Sequence, residues 1–293
     1  MVCYHPLKAY FGSKLKSGKR DVVFSFNDSD GTPGFDLPCG KCQGCRLERS
    51  RQWAVRCLHE SNMFDQNCFI TLTYNFENLP KDGSLSVDVV QKFFKRLRKK
   101  FPDRKIRYFL CGEYGDMLSR PHYHACLFGF DFDDKYLFRE KDGVRLYRSP
   151  TLESLWTFGF STIGDVTFES AAYVARYVMK KVTGDIAEDY YEGKKPEFVV
   201  MSRRPGIGFE WWSKFNRDLD ISDKVVVNGR EIKIPKYYDK LLEKYYVDDF
   251  NDLKDSRKRV KTVSQIRKEL IDRPKKEIIS KIRLKKLKRG LEV

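Results

Sequence analysis

Apolar residues recur every second position in some stretches and every third or fourth in others, and these changes of period mark out the elements. Cys68 to Tyr74 reads as a strand whose threonines share a face with Phe69, opposite Ile70 and Leu72. Ile106 to Cys111 predicts a second strand, running into Gly112-Glu113-Tyr114-Gly115, and His122 to Phe128 a third with no breaker before Gly129. The turn-like stretch 116–121 joins the last two as an antiparallel hairpin, which brings Glu113 near His122. Further strands are expected at 22–26 and 160–168, and a hairpin over 225–234 turns on Asn228-Gly229.

Helical spacing appears over 46–63, with Trp53, Cys57, Glu60 and Phe64 on the packed side and Arg46, Arg49 and Arg56 around much of the rest. Val87 to Lys100 repeats the pattern with Val90, Phe93, Phe94 and Leu97, and a third helix is expected over 169–182. Residues 131–148 are a charged, aromatic insertion with no clear period. The stretch 190–205 reads as a mobile loop, Trp211-Trp212 opens a short helical piece, and the remainder is basic and helical in pieces.

The chain carries 57 Lys and Arg against 41 Asp and Glu, a net charge of +16, which points to a polyanionic partner, nucleic acid first. From Asn251 onward there are 16 basic and 6 acidic residues, so this tail alone holds +10. It lacks a continuous apolar face, which argues against a membrane-surface role. No apolar leader and no run of about 20 apolar residues is present, so a cytosolic protein is expected. No Gly-Lys-Ser/Thr phosphate loop is found, so no fused helicase is expected.

Two clusters carry candidate chemistry. His122 and His124 are two of only four histidines, and on a strand they point to one face while Tyr123 points to the other. Paired imidazoles on a rigid strand suit a metal ion. Cys39, Cys42 and Cys45 stand at Cys-x2-Cys-x2-Cys spacing with glycines between, a knuckle that suits structural zinc. Cys3 is the first choice for the fourth ligand, with Cys57 and His59 as alternatives. In the expected third helix, Tyr173 and Tyr177 lie on one face about 6 Å apart along the axis, followed by Lys180 and Lys181.

Together these residues resemble the HUH superfamily of single-strand endonucleases, and within it the rolling-circle replication initiators of microviruses of the gokushovirus-like kind. Phe69 to Tyr74 is similar to the first motif, Pro121-His122-Tyr123-His124 to the second, and Tyr173-x3-Tyr177-x2-Lys180-Lys181 to the third in its two-tyrosine form. The cysteine knuckle resembles the phage subgroup. The resemblance implies an α+β fold with a central antiparallel sheet flanked by helices, the knuckle at one end and a basic extension at the other. It divides the chain into an N-terminal segment 1–63, an endonuclease core 64–215 and an extension 216–293.

It also implies that His122 and His124 bind Mg2+ or Mn2+ with an acidic third ligand, for which Glu113 is the choice and Asp116 the runner-up. A tyrosine phenol, with a pKa of about 10, needs such help to attack a phosphate at neutral pH. Either Tyr173 or Tyr177 attacks first, giving a 5′-phosphotyrosine and a free 3′-OH, with Lys180 or Lys181 steadying developing charge. Single-stranded DNA at the replication origin is the expected substrate, contacted near the site by Arg107, Tyr108 and Arg120. The host helicase and polymerase are the expected partners, in the host bacterial cytoplasm. An HUH transposase or relaxase is the neighbouring alternative, and a non-catalytic zinc-containing nucleic-acid binder the distant one.

Overall fold

In the computed structural model, contacts gather the chain into two units, Met1–Arg49 with Arg259–Arg289, and Ser50–Lys258. These bounds differ from divisions at residues 63 and 215, because the Arg- and Trp-bearing helix and the Asn-Gly hairpin pack largely within the second unit. The structure describes residues 3–16, 18, 20–115, 119–141, 143–177, 187–258 and 262–285.

The first unit opens with β1 (Leu7–Lys14), β2 (Arg20–Val23) and β3 (Phe35–Leu37), an antiparallel sheet in the order β2-β1-β3. Helix α1 (Gln43–Ser61) starts here and continues into the second unit.

The second unit is built on seven antiparallel strands. In chain order it contains β4 (Asn67–Tyr74), α2 (Val87–Lys100), β5 (Arg107–Tyr114) and β6 (Pro121–Phe128), then β7 (Tyr136–Lys141), β8 (Val144–Arg148) and α3 (Pro150–Leu155). There follow β9 (Gly159–Gly164), α4 (Phe168–Tyr177), α5 (Ala187–Tyr191) and β10 (Phe198–Met201). The spatial order is β10-β5-β6-β4-β9-β8-β7, so the histidine strand β6 sits inside the sheet between β5 and β4. The aromatic insertion at 131–148 is therefore largely a hairpin on one edge of this sheet. The expected loop at 190–205 instead supplies strand β10, which pairs with β5 on the other edge.

Period-two alternation splits the sheet into two faces. Ile70 and Leu72 of β4, Leu110 of β5, and Tyr123, Ala125 and Leu127 of β6 pack under Val90, Phe93, Phe94 and Leu97 of α2 and Leu152 and Leu155 of α3. Each such side chain contributes about 1.5–3 kcal/mol by leaving water. Ser86 caps α2 by accepting from the Val89 N–H, and Arg98, Lys99 and Lys100 in its last turn complement the helix dipole. Tyr123 is fully buried; its hydroxyl accepts from the Ser86 backbone N–H (3.0 Å) and lies 3.2 Å from the Tyr74 hydroxyl. On the opposite face Phe69, Phe109, Cys111, Cys126 and Phe128 pack under Ala54 and Cys57 of α1 and Ala171, Val174 and Ala175 of α4.

The rest of the second unit comprises α6 (Phe209–Ser222), β11 (Lys224–Val227), β12 (Arg230–Lys233), α7 (Lys236–Tyr245) and α8 (Val247–Ser256). The turn between β11 and β12 holds Asn228 and Gly229 at φ of 49° and 72°, the paired left-handed conformation that a two-residue hairpin needs. The chain returns to the first unit as α9 (Val263–Lys285), a 23-residue helix running through Pro274. Within that unit Arg273 of α9 donates to Asp36 (2.8 Å), and Glu277 pairs with His5 (3.0 Å). Among the described residues no helix is long and apolar enough to cross a membrane.

His59 of α1 is enclosed in the second unit, its Nδ1 2.8 Å from the Tyr238 hydroxyl and its ring stacked on Trp211 at 3.5 Å. Burial lowers its pKa to about 3, so the native state keeps it neutral while the unfolded chain protonates it near 6.5. Between those values unfolding takes up a proton, and stability falls as pH falls; above 6.5 the residue contributes no slope. His59→Asn is expected to remove about 2 kcal/mol of the stability lost between pH 7 and pH 5. Denaturant titrations of both proteins at the two pH values would check it, and equal slopes would show that His59 is not the group responsible.

Candidate active site

Pairing register explains why three side chains meet on the α1–α4 face. Glu113 of β5 lies opposite His122 of β6, and Cys111 lies opposite His124. On the other side of β6, Thr73 and Thr71 of β4 face the same two histidines. Directly opposed residues share a face, so one short row holds the carboxylate and one imidazole, and the next row holds the second imidazole.

The donor atoms converge. Glu113 Oε1 lies 3.1 Å from His122 Nε2 and 2.8 Å from His124 Nε2, and all three ligand atoms lie within 4.8 Å of one another. His122 Nδ1 stands 3.0 Å from the Arg120 carbonyl oxygen, which can only accept, so this nitrogen carries the proton. A neutral His122 then turns the bare lone pair of Nε2 toward a carboxylate oxygen. Two acceptors facing each other at that distance call for a cation between or beside them. His124 is oriented in turn by Thr71, whose hydroxyl is 3.0 Å from Nδ1, and by stacking on Phe69. A six-coordinate ion with bonds of about 2.1 Å places adjacent ligands about 3 Å apart, which fits these separations.

Glu113 and His124 are each 1% exposed. Burial pushes the Glu113 carboxyl up, but hydrogen bonds and charge from His122 and His124 outweigh it and hold it below the usual carboxylate value. The carboxylate is thus anionic, as a metal ligand must be.

Helix α4 adds the nucleophile candidate. Ala171 and Ala175 are fully buried and let the helix approach the sheet closely, and Tyr173 between them points at the ligands. Its hydroxyl donates to Glu113 Oε1 at 3.3 Å, and its ring meets the His124 ring edge-on at 5.0 Å. Tyr177 ends the same helix. Its side chain, Lys180, Lys181 and Asp116 lie outside the described residues.

The three expected DNA contacts fare differently. Arg107 is 5% exposed: its guanidinium is bonded to the Glu60 carboxylate and donates to the Pro205 carbonyl at 2.8 Å, so it is a buried structural cation and not a phosphate contact. Glu60 also accepts from the Gly208 N–H at 2.6 Å, which explains an acid on the packed side of α1. Tyr108 stacks on Phe94 of α2 at 3.8 Å, on the face away from the histidines. Arg120 remains beside the site, partly exposed, its guanidinium donating to the Tyr74 carbonyl at 3.2 Å. The orienting roles of Thr71 and of the Arg120 carbonyl are additions; Thr71 was legible as the site-facing residue of a neighbouring strand.

A second constellation lies in the first unit. Cys3, Cys39, Cys42 and Cys45 bring their sulfurs within 4.8 Å of one another, with Cys3 3.6 Å from Cys39 and 3.8 Å from Cys42. These are free thiols, and the spacing is far beyond a disulfide bond of about 2.05 Å. A tetrahedral ion with bonds of about 2.3 Å sets its sulfurs about 3.8 Å apart, so the four thiols fit one. Burial opposes ionisation of Cys42, yet backbone N–H groups of Cys45 and Tyr4, with the Cys39 and Cys45 thiols, bring it down to about 6. Cys3 is thus the fourth member. Cys57 is buried against Phe69 and Cys126 in the core of the second unit, and His59 is bonded to Tyr238.

Comparison with known proteins agrees with the motifs. The family model for the replication-associated protein ORF2 group matches residues 67–182, from β4 past the end of α4. Replication-associated protein VP4 of Bdellovibrio phage phiMH2K is 37% identical over 250 residues, covering 81% of this chain and 76% of the relative. Replication-associated protein ORF2 of Spiroplasma virus 4 is 32% identical over 286 residues, 89% of this chain and 87% of the relative. Replication-associated protein ORF4 of Chlamydia phage 1 is 33% identical over 226 residues, 73% of this chain and 55% of the relative. No solved structure matches. With identity of this order over most of its length, and the three motifs in order, the chain belongs to the replication-associated protein family of the microviruses.

Proposed function

We propose that this protein initiates rolling-circle replication by nicking and rejoining single-stranded DNA at the viral origin through a 5′-phosphotyrosine. The observation that carries this reading is the meeting of His122, His124 and the Tyr173 hydroxyl on one oxygen of Glu113. A Mg2+ or Mn2+ ion held by the two imidazoles and the carboxylate would supply Lewis-acid activation of the scissile phosphate. The Tyr173 or Tyr177 oxygen forms a bond to phosphorus while the P–O3′ bond breaks, and the phenol proton ends on the departing 3′ oxygen. No water is consumed, so the bond energy is kept for rejoining. The second tyrosine, one helical turn away, cuts again while the first is still esterified. Lys180 or Lys181 balances charge on the reacting group. The four thiols hold a structural zinc, and the host helicase and polymerase extend the 3′ end in the bacterial cytoplasm.

The test is incubation with labelled single-stranded oligonucleotides tiled across the origin, with Mn2+ or EDTA, followed by a denaturing protein gel. A covalent adduct is expected with Mn2+ alone, absent from the Tyr173→Phe/Tyr177→Phe double variant. The single variant that keeps the adduct on the first cut names the tyrosine that attacks first. Binding with no adduct at all would leave a non-catalytic origin-binding protein.

A further inference from the structure

The row that holds the metal ligands extends further across the sheet than the ligands themselves. Glu113 pairs with His122, His122 with Thr73, and Thr73 with Phe160 at the start of β9. Cross-strand partners share a face, and the next residues confirm the parity: Ile163 belongs to the α2 face, which leaves Phe160 on the histidine face. Phe160 is 57% exposed. It stands two strand spacings from His122, about 10 Å.

A solitary exposed phenylalanine would need no explanation. This one has company. Phe76, just past the end of β4, is 84% exposed, and Arg120 holds a guanidinium against the Tyr74 carbonyl at the same strand end. A guanidinium carries five donors and that bond uses one, so it can also meet a phosphate. Backbone geometry keeps Phe160 in place. Gly159 has φ of 153°, and a side chain there would run into the Asn75 backbone at 2.2 Å, so β9 can start directly against the end of β4. Aromatic faces interleaved with a cation are what a single strand uses for its bases and phosphates, and the chain's +16 charge favours that polyanion.

We propose that Phe160 is the stacking platform for the base beside the scissile phosphate, a positioning residue that sets where along the strand the phosphate lies over the ligands. The assignment rests on the nicking reading above and adds a residue outside the three motifs.

The test uses the full-length protein. With EDTA present, Phe160→Ala is expected to weaken binding of a fluorescent oligothymidine of about 20 nucleotides roughly 10-fold, and Phe160→Trp to restore it within about 2-fold. Tyr190→Ala, another exposed aromatic change, should leave binding unchanged. On the origin oligonucleotide that forms the adduct, 2-aminopurine next to the nick should be quenched by the wild type and not by Phe160→Ala. That variant should raise KM more than it lowers kcat and blur the nick over neighbouring positions. Wild-type binding and quenching by Phe160→Ala, with a normal adduct, would overturn the assignment and leave the nicking reading intact. An adduct-free wild type would sink the nicking reading, while the EDTA binding comparison would still decide whether Phe160 touches DNA.

Discussion

Glu113→Gln is expected to lower Mn2+ affinity at least about 100-fold and nicking about 1,000-fold, with the fold unchanged. A removed ligand should exceed the roughly 10–100-fold cost of losing an outer-shell partner, and several kcal/mol of lost phosphate activation correspond to about three decades in rate. Glutamine suits the test because its amide N–H groups can donate to the two Nε2 lone pairs that now face a carboxylate, so no buried polar atom is stranded. His124→Ala would instead open a cavity at a position 1% exposed and confound folding with chemistry. Calorimetric Mn2+ titration, thermal melting and adduct yield on one preparation separate the possibilities. Wild-type Mn2+ affinity in Glu113→Gln would remove the carboxylate from the ligand set.

The other large effect is expected from Cys42→Ser, which should release bound zinc and unravel the local structure of the first unit. Among the described residues of that unit, Ala9 and Cys45 are the buried hydrophobic ones, and every described side chain of α9 is at least partly exposed. So little apolar burial cannot offset the entropy of ordering the segment. Structural zinc in comparable small sites contributes an apparent 10–16 kcal/mol, roughly, of folding free energy. Metal analysis should find about one zinc per wild-type chain and almost none in the variant, which limited proteolysis should cut first within residues 1–45. Full zinc content in Cys42→Ser would show that these thiols do not hold the metal.

Long, strongly periodic elements were legible in the sequence. The strand with alternating threonines, the helix with Val90, Phe93, Phe94 and Leu97, and the hairpin from Glu113 to His122 needed only period and turn residues. What escaped had no local cause. Phe198 to Met201 forms a strand because β5 offers it an unpaired edge, and four residues near Pro196 and two lysines give no pattern of their own. Arg107 and Tyr108 were expected near DNA because they are basic and aromatic. Counting by twos from Glu113 separates them: Tyr108 falls on the far face, and Arg107 on the near face but at the end where Glu60 of α1 claims it. Glu60 itself carried the signal, since an acid among the apolar positions of a helix requires a buried cation.

Tyr123, between the two ligands, gives the site an unexpected dependence. Sliding β6 by one residue would swing both imidazoles into the α2 layer and set a phenol where they had been, with most backbone pairing restored. What opposes that slide is the Tyr123 hydroxyl, held by the N–H at the cap of α2 and by Tyr74. The cap of a helix on the far side of the sheet is therefore a pawl that keeps the metal ligands in phase, and changes at Ser86 or Tyr74 would reach the chemistry through the timing of one strand against another.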